Sequence, residues 1–393
     1  MVALKNARPD WQFTVLAPHD ARSATVNRTE HGEFTEVRFN YFRPRRWQSL
    51  AGHGIMPTIR RNPAQVLAIP GLCWGEYRAL RNLVAQERPD VIYAHWFTPQ
   101  AVTSWAVSRR TRVPFVFTTH ASDVAVWRRL RAVGRAIVSR VTRRAVGFTA
   151  VSQASLDRMR PFFDVAAWNK LQQRAQVIPM GVDLPRVKVS AVGTNDLYPG
   201  RRVILFMGRL THKKGLPYLL DAFAAVRAEA ADVHLVVAGD GPQRTELQEQ
   251  AARLGVEDAV DFVGFVSGTR KDDFYRRADI CVLPSVVASD GDAEGMPVVL
   301  LESLAYGKPT IATDATNAAE IVTDGTDAIV CRAGDSAALG NALRDVLSWD
   351  DERRSAMSAK ARATAEAFSW PLIAERTAAF LLDPIAEQCA SSS

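Results

Sequence analysis

The nine residues Glu294-Gly-Met-Pro-Val-Val-Leu-Leu-Glu302 combine a loop, a helix start and two carboxylates. Proline suits the first position of a helix, because its φ is already helical and its missing N–H would have no intrahelical partner. The helix is therefore predicted to begin near Pro297. Glu302 then lies about 7.5 Å along the helix axis while Glu294 stays in the loop, so both carboxylates can serve one site.

The first turn of that helix also suits a phosphate, since its free N–H groups carry the positive end of the helix dipole. An isolated pair of glutamates would more often be ordinary helix-start and surface residues. A second segment favours the functional interpretation: the predicted strand 202–207 runs into Gly208-Arg-Leu-Thr-His-Lys-Lys-Gly215, and a helix opens at Leu216-Pro217.

Together these two segments resemble the nucleotide-sugar site of the retaining glycosyltransferases of family 4, with its Gly-Arg-Leu…Lys-Gly loop and its Glu-x7-Glu pattern. The run Ser289-Asp-Gly-Asp-Ala-Glu-Gly-Met-Pro297 is similar to the subgroup that builds bacterial exopolysaccharides of the colanic acid type. The resemblance spans nearly the whole chain. It implies an α/β fold of the GT-B class, in which two Rossmann-like domains face each other across a cleft.

The length of the chain and its alternation of predicted strands and helices agree with two domains. We expect an acceptor-side domain over 1–190, to which a C-terminal helix over 370–393 returns, and a nucleotide-sugar-binding domain over 191–369. In relatives a short strand, a Gly-Gly loop and a helix precede the strand predicted at 11–17. We therefore expect that the first domain lacks its usual first strand.

Charge is divided unequally along the chain. Residues 1–196 carry 29 Lys and Arg against 13 Asp and Glu, a net of +16, and the remaining residues carry 20 against 29, a net of −9. The basic first half indicates an anionic partner, either nucleic acid or a membrane surface with anionic lipids. Nucleic acid is disfavoured, because the acidic second half would repel it and because aromatic residues alternate with arginine only at 41–47.

A single long helix is predicted over 124–144, with an apolar stripe at three- and four-residue spacing that consists of Leu130, Val133, Ile137 and Val141. Its other faces carry seven arginines, at positions 128, 129, 131, 135, 140, 143 and 144. Such a helix is either a solvated face or a binding surface for the phosphates of lipid head groups.

Features of targeting and of redox chemistry are sparse. No apolar run reaches the length of a membrane-spanning helix, and the first residues lack the apolar core of a signal peptide. The four cysteines, at positions 73, 281, 331 and 389, are widely spaced, which favours free thiols over disulfides or zinc. The expected location is the cytoplasm, with peripheral association at the inner face of the cell membrane left open.

Two more segments match the family. His120-Ala-Ser-Asp123 follows the strand predicted at 114–119, where open α/β sheets place ligands, and it resembles the His-Gly-x-Asp segment with alanine in place of glycine. Phe265 follows the predicted strand 260–264 and resembles the base-contacting segment.

One segment departs from the family. After Asp314 relatives usually have a Gly-rich turn before a glutamate, whereas this chain has Ala315-Thr-Asn-Ala-Ala before Glu320. This departure is expected to alter contacts with the donor sugar.

The resemblance implies four catalytic residues, namely His120, Arg209, Lys214 and Glu294. Arg209 and Lys214 would meet the negative charge that develops on the leaving nucleoside diphosphate. Glu294, and His120 from the opposite domain, would contact the donor sugar. The implied donor-binding residues are Asp123, Gly208, Phe265, Gly295, Met296, Pro297 and Glu302, with Glu302 on the ribose diol.

The predicted activity is that of a hexosyltransferase in exopolysaccharide or cell-envelope polysaccharide synthesis. It would move a sugar from a UDP- or GDP-sugar to a glycan or polyprenyl-diphosphate-linked acceptor, with retention of configuration implied by the resemblance alone. A nucleotide-sugar epimerase or hydrolase on the same fold is the alternative. No cofactor or metal is expected, because a basic pair already neutralises the diphosphate, although Asp290-Gly-Asp292 fits a divalent-ion site.

Overall fold

The computed structural model describes residues 1–20, 27–50, 55, 58–59, 62–120, 122–185, 197–289 and 293–391. The chain forms two compact units. The first consists of Met1–Ile178 together with Ile373–Ser393, and the second of Pro179–Leu372. Among the helices described, none is both long and apolar enough to cross a bilayer.

The strands, numbered in chain order, are β1 (Thr14–Pro18), β2 (Arg28–Glu30), β3 (Thr35–Phe39), β4 (Ile92–His95), β5 (Phe115–Thr119), β6 (Gly147–Ala150), β7 (Ala175–Val177), β8 (Arg202–Met207), β9 (Val233–Ala238), β10 (Val260–Gly264), β11 (Ile280–Leu283), β12 (Thr310–Thr313) and β13 (Ile329–Cys331).

The α-helices are α1 (Val2–Ala7), α2 (Ile69–Glu87), α3 (Val102–Thr111), α4 (Ser122–Ala125), α5 (Arg131–Arg144), α6 (Gln153–Asp157), α7 (Val165–Gln172), α8 (Leu216–Glu229), α9 (Arg244–Arg253), α10 (Gly268–Arg277), α11 (Val298–Ala305), α12 (Ser336–Ser348), α13 (Asp351–Glu366) and α14 (Trp370–Ser391).

The second unit is built on a six-stranded sheet in the order β10-β9-β8-β11-β12-β13, and each neighbouring pair is parallel. Strands β8 and β10 have the bounds that the sequence predicts, because strands buried on both faces are nearly continuous apolar runs. The strand order reverses between β8 and β11. Open α/β sheets bind their ligands at the carboxyl ends of the strands at such a switch point.

Helix α8 fixes where the loop after β8 ends. Its buried residues are Leu216, Leu219, Leu220, Ala222, Phe223 and Val226. They pack against β8, β9 and α12 in one core. Pro217 stands in the first turn of α8, as the sequence predicts.

The first unit contains two separate sheets. Four parallel strands lie in the order β4-β5-β6-β7. The second sheet has the order β1-β3-β2, in which β1 and β3 are parallel and β2 is antiparallel to β3. Within the described part of the chain, the outer edges of β1 and β4 pair with no strand. The expectation that the usual first strand is missing stays a prediction.

The single helix predicted over 124–144 is wrong. The chain forms α4, then a 3-10 turn over Val126–Leu130, and then α5, with Arg131 at a positive φ of 44°. Gly134 permits the break, because a Cβ there would collide with the backbone carbonyl of Trp127. The close packing of the 3-10 turn against α5 therefore depends on glycine at this position.

The break also changes which side chains of α5 face the core. The buried residues are Gly134, Val138, Val141 and Thr142. Leu130 and Val133, which the predicted stripe placed inward, are 52% and 62% exposed. Apolar side chains therefore lie at the surface among the arginines.

The two units divide after Ile178, earlier in the chain than the domain boundary expected at 190/191. The N–H of Val182 donates to the carbonyl of Phe368 at 2.9 Å, and the N–H of Trp370 donates to the carbonyl of Val182 at 3.2 Å. Residues 179–183, which the sequence placed at the close of the first domain, are thereby tied to the end of the second unit. The boundary expected at 190/191 lies outside the described residues, and α14 passes from the second unit into the first at Ile373.

Candidate active site

Two loops meet at the switch point of the second unit. We call them the basic loop (208–215), which follows β8, and the glutamate loop (the described residues 284–289 and 293–297), which follows β11 and precedes α11. The N–H of Val286 donates to the carbonyl of Lys213 at 2.8 Å. The backbones of the two loops are therefore in direct contact.

Glycine permits these close approaches. Gly215 has a φ of 64°, and a Cβ there would collide with the carbonyl of Pro284. On the other side of the basic loop, a Cβ at Gly239 would collide with the carbonyl of Gly208. The basic loop is thus held between the loops that follow β9 and β11.

An ion pair joins the two loops. Nζ of Lys214 lies 3.2 Å from Oε1 of Glu294, and Nζ of Lys213 lies 4.0 Å from the same oxygen. Glu294 is only 7% exposed, and a buried carboxylate is costly unless cations compensate its charge. The sequence predicts Lys214 and Glu294 as site residues, and the structure brings them together. It adds Lys213, whose only signal was its place beside Lys214.

Backbone contacts hold the rest of the glutamate loop. Nδ2 of Asn317 donates to the carbonyl of Glu294 at 2.8 Å and lies 3.4 Å from that of Gly295. The N–H of Met180 contacts Sδ of Met296 at 3.1 Å. The sequence predicted Gly295 and Met296 at the site, whereas Asn317 was noted only as part of a segment that departs from the family.

Glu302 has different partners from Glu294, and both of them lie on α10. Nζ of Lys271 and the hydroxyl of Tyr275 each lie 2.8 Å from one of its carboxylate oxygens. Burial, and after it the charge of Glu302, raises the pKa of Tyr275 well above its ordinary value, so the phenol stays a neutral donor. Helix α11 begins at Val298, one residue later than predicted, and Pro297 precedes it.

Sequence reasoning missed Lys271 and Tyr275. Both lie on α10, four residues apart, and therefore on one face of that helix. This spacing was the available signal. Nothing in the sequence shows that the face meets α11.

Two further predicted residues of the second unit, Phe265 and Arg209, lie at the surface. Phe265 follows β10 and is 78% exposed, so its ring is accessible to a stacking partner. Arg209 is exposed on the basic loop, one residue after Gly208. Both lie beyond the carboxyl ends of strands in the same sheet.

A cavity of about 420 Å³ adjoins the glutamate loop. It is lined by Tyr218, Val286, Val287, Asp314, Ala315, Ala333 and Gly334. The carboxylate of Asp314 accepts the N–H of Ala333 at 3.0 Å. Ala315 belongs to the segment that departs from the family, so the departure changes the wall of this cavity.

In the first unit, Asp123 stabilises a loop from inside. Its carboxylate accepts the N–H of Phe97 at 2.6 Å, the hydroxyl of Thr119 at 2.9 Å and the N–H of His120 at 3.1 Å. Burial raises the pKa of Asp123, and these hydrogen bonds oppose the rise. Its partners shown here are protein groups, and its predicted donor contact stays a prediction.

His120 lies in an aromatic cluster at the ends of β4 and β5. Its ring stacks on Trp96 at 4.7 Å, and the ring of His95 lies 6.2 Å away. Burial lowers the pKa of His120 to about 4, so the imidazole is neutral near neutral pH. Trp96 has a φ of 82°, which is uncommon for a bulky residue. Neither His95 nor Trp96 belongs to a segment that the sequence predicts as part of the site.

The expectation that no metal is needed stays a prediction. Among the described residues, no group of three or more His, Cys, Asp or Glu side chains could hold a metal ion. The alternative metal motif, Asp290 with Asp292, lies outside the described residues.

Comparison with known proteins agrees with this architecture. The profile of the family "Glycosyl transferases group 1" matches residues 193–364, and that of "Glycosyltransferase Family 4" matches residues 7–186. Glycogen synthase of Mycobacterium tuberculosis (strain CDC 1551 / Oshkosh) is 30% identical over 300 residues, which cover 74% of this chain and 68% of that protein. WcaL of Salmonella typhimurium, named for colanic acid biosynthesis, is 28% identical over 191 residues, covering 48% and 46%.

A solved structure shows the same fold. Anabaena Alr3699/HepE in complex with UDP superposes with a TM-score of 0.69 at 19% identity, covering 95% of this chain and 100% of that one. The family and fold expected from the sequence are confirmed. The chain belongs to the glycosyltransferases of the family 4 and group 1 type, and it has the GT-B fold of two Rossmann-like domains.

Proposed function

We propose that the protein transfers a sugar from a UDP- or GDP-sugar to a glycan or polyprenyl-diphosphate-linked acceptor, with retention of anomeric configuration. The pathway proposed is exopolysaccharide or cell-envelope polysaccharide synthesis. One observation carries the proposal: the 3.2 Å contact of Lys214 with the buried Glu294 unites a cation and a carboxylate at the switch point of the sheet. In a nucleotide-sugar the diphosphate is bonded directly to the sugar, so a cation for the diphosphate and a carboxylate for a sugar hydroxyl would have to be neighbours.

The basic loop would bind the diphosphate. Lys214 and Arg209 are cations at the carboxyl end of β8, where fixed positive charge meets the charge that develops on a leaving diphosphate. Because Lys214 also neutralises Glu294, the incoming diphosphate shares a cation that is already in place. Glu294 would then accept a hydroxyl group of the donor sugar.

Helix α11 would bind the nucleoside. Lys271 and Tyr275 hold the two oxygens of Glu302, and a carboxylate oxygen can accept more than one hydrogen bond. The ribose diol would donate to the remaining positions. Phe265, exposed at the end of β10, offers its ring to the base.

The proposed reaction proceeds on the front face of the sugar. The bond between the anomeric carbon and the diphosphate oxygen breaks, and a bond to the acceptor oxygen forms on the same side. The leaving diphosphate takes the proton of the acceptor hydroxyl. His120, neutral near neutral pH because burial lowers its pKa to about 4, would hydrogen-bond the sugar rather than add a positive charge.

The partner proposed for the first unit is an anionic membrane surface on the cytoplasmic side. This unit, residues 1–178 and 373–393, carries 28 Lys and Arg against 14 Asp and Glu, a net charge of +14. Leu130 and Val133 are exposed beside the arginines of α5 and of the preceding turn. Basic side chains with exposed apolar neighbours suit the head-group region of an anionic bilayer.

Product analysis with a panel of UDP- and GDP-sugars tests the proposal. Transfer to an added polyprenyl-diphosphate glycan, with retained configuration by NMR, is the expected result. Epimerised donor or free sugar without transfer product would support the alternative enzymes on this fold. Full activity in EDTA is expected, and activity that returns only with Mn²⁺ or Mg²⁺ would instead implicate Asp290 and Asp292.

A further inference from the structure

The position of Glu294 depends on a residue that lies on another loop. Asn317 follows β12, and its side-chain nitrogen donates to the Glu294 carbonyl at 2.8 Å. The Gly295 carbonyl lies 3.4 Å from the same nitrogen. Both neighbours are hydrogen-bond acceptors, so the nitrogen end of the amide, and not the oxygen, must face them.

Asn317 is itself held firmly. It adopts φ 57° and ψ 28° between two 3-10 turns, Asp314–Thr316 and Ala318–Glu320. The hydroxyl of Thr316 donates to the carbonyl of Thr313 at 2.6 Å and accepts the N–H of Ala318 at 3.1 Å. Thr316 and Ala318 are fully buried. The amide therefore projects from a rigid turn.

Asparagine combines two properties at this position. It is among the few residues other than glycine that tolerate the left-handed conformation, and its amide donates a hydrogen bond. Glycine would keep the turn without the donor. Aspartate would also tolerate the turn, but it would turn a carboxylate oxygen toward two carbonyl oxygens.

We propose that Asn317 is a positioning residue for Glu294: its amide fixes the backbone of the glutamate loop so that the carboxylate stays on Lys214. The expected effect of Asn317 on turnover rests on the proposed function. Its expected effect on the order of the glutamate loop does not, because that effect concerns contacts within the second unit alone. The segment that departs from the family thus supplies a side-chain contact to the loop that carries Glu294.

The test compares Asn317→Gly and Asn317→Asp with wild type by hydrogen exchange and by kinetics. Faster amide exchange in peptides that cover 293–297, with unchanged exchange in β8, is expected for both variants. We expect kcat to fall about tenfold for glycine, which is about 1.4 kcal/mol, and further for aspartate. The KM for the donor and the Kd for free UDP or GDP should stay within about twofold. A variant that is generally unfolded would instead show weaker nucleotide binding, faster exchange in β8 and a lower melting temperature together.

The control is Asn341→Asp on α12. It makes the same change of an amide to a carboxylate at an exposed position, where the described partner is Arg344. Unchanged exchange in 293–297 for both Asn317 variants would overturn the proposal, whatever the activity. Faster exchange with wild-type kcat would overturn its catalytic part. If wild type transfers no sugar to any acceptor, the proposed function fails, and the exchange result still decides whether Asn317 positions the loop.

Discussion

At the scale of single residues, the two glutamates of the opening motif differ in their partners. Glu294 is buried against lysines of the basic loop, whereas Glu302 is held by a lysine and a tyrosine of α10. Separate partners indicate separate tasks. In the proposed function, Glu294 contacts the donor sugar and Glu302 contacts the ribose diol.

Glu294→Ala is expected to lower kcat by about 100-fold or more, on the scale of a lost transition-state contact, with little change in nucleotide affinity. Glu302→Ala is expected to weaken nucleotide binding instead, because the ribose loses its acceptor and Lys271 loses its counter-charge. Calorimetry with free UDP or GDP, combined with initial rates, separates the two effects. Equal loss of nucleotide affinity in both variants would refute the division of tasks.

Arg209→Ala and Lys214→Ala should each lower kcat by about 100-fold or more, because each removes a fixed charge from the diphosphate. Lys213→Ala is the matched comparison, since Lys213 lies farther from Glu294, at 4.0 Å against 3.2 Å. Its effect should be clearly smaller. Initial rates at saturating donor give kcat for the three variants. If Lys213→Ala lowers kcat as much as Lys214→Ala, the distance to Glu294 does not determine which lysine matters for turnover.

At the scale of elements, α5 and the 3-10 turn before it are expected to bind anionic membranes. Replacing Arg131, Arg135, Arg140 and Arg144 with Gln should weaken cosedimentation with anionic vesicles by at least about tenfold, because each basic residue contributes about 1 kcal/mol before screening. Binding by wild type should also fall as salt is raised. Leu130→Gln with Val133→Gln should weaken binding without this change in charge.

A charge-matched control uses four exposed arginines of the second unit. These are Arg201, Arg253, Arg276 and Arg353. Their replacement with Gln should leave vesicle binding nearly unchanged. If both sets of four weaken binding equally, net charge alone is responsible, and α5 is not the binding surface.

At the scale of the whole molecule, Glu76 couples stability to pH. It is buried on α2 and accepts a hydrogen bond from Thr103 at 2.9 Å. Burial raises its pKa from 4.5 to about 7, against the opposing hydrogen bond. Between these values the folded state binds a proton that the unfolded state does not, so the contribution of Glu76 to stability is lost as pH rises through about 7.

Glu76→Gln should therefore raise the melting temperature at about pH 8 and change it little at about pH 5, because the amide mimics the protonated acid. Thermal melts across this range measure the effect. His95 and His120 affect the pH dependence of stability in the opposite direction. Burial lowers the pKa of each to about 4, so their contribution to stability is lost as pH falls from 6.5 toward 4. A wild-type and mutant difference that does not grow with pH would contradict the assignment to Glu76.

Much of this architecture is readable from sequence, and the failures share one cause. Strands β8 and β10 match their predicted bounds because a buried strand is a local apolar run. The break before α5 was missed because the close approach of Gly134 to the carbonyl of Trp127 is visible only in the structure. In the site, the family motif identifies Lys214 and Glu294, but Asn317 becomes visible only once the fold brings β12 beside β11.

The two separate sheets of the first unit affect how copies of the chain meet. In the described residues, β1 and β4 each leave one edge without a strand partner, and such an edge presents alternate N–H and C=O groups to any extended segment. An edge of this kind favours self-association through main-chain pairing, which is largely independent of side-chain identity. The other end strands of the two sheets, β2 and β7, share this property in the described residues, so a segment that covers any of these edges would limit such pairing.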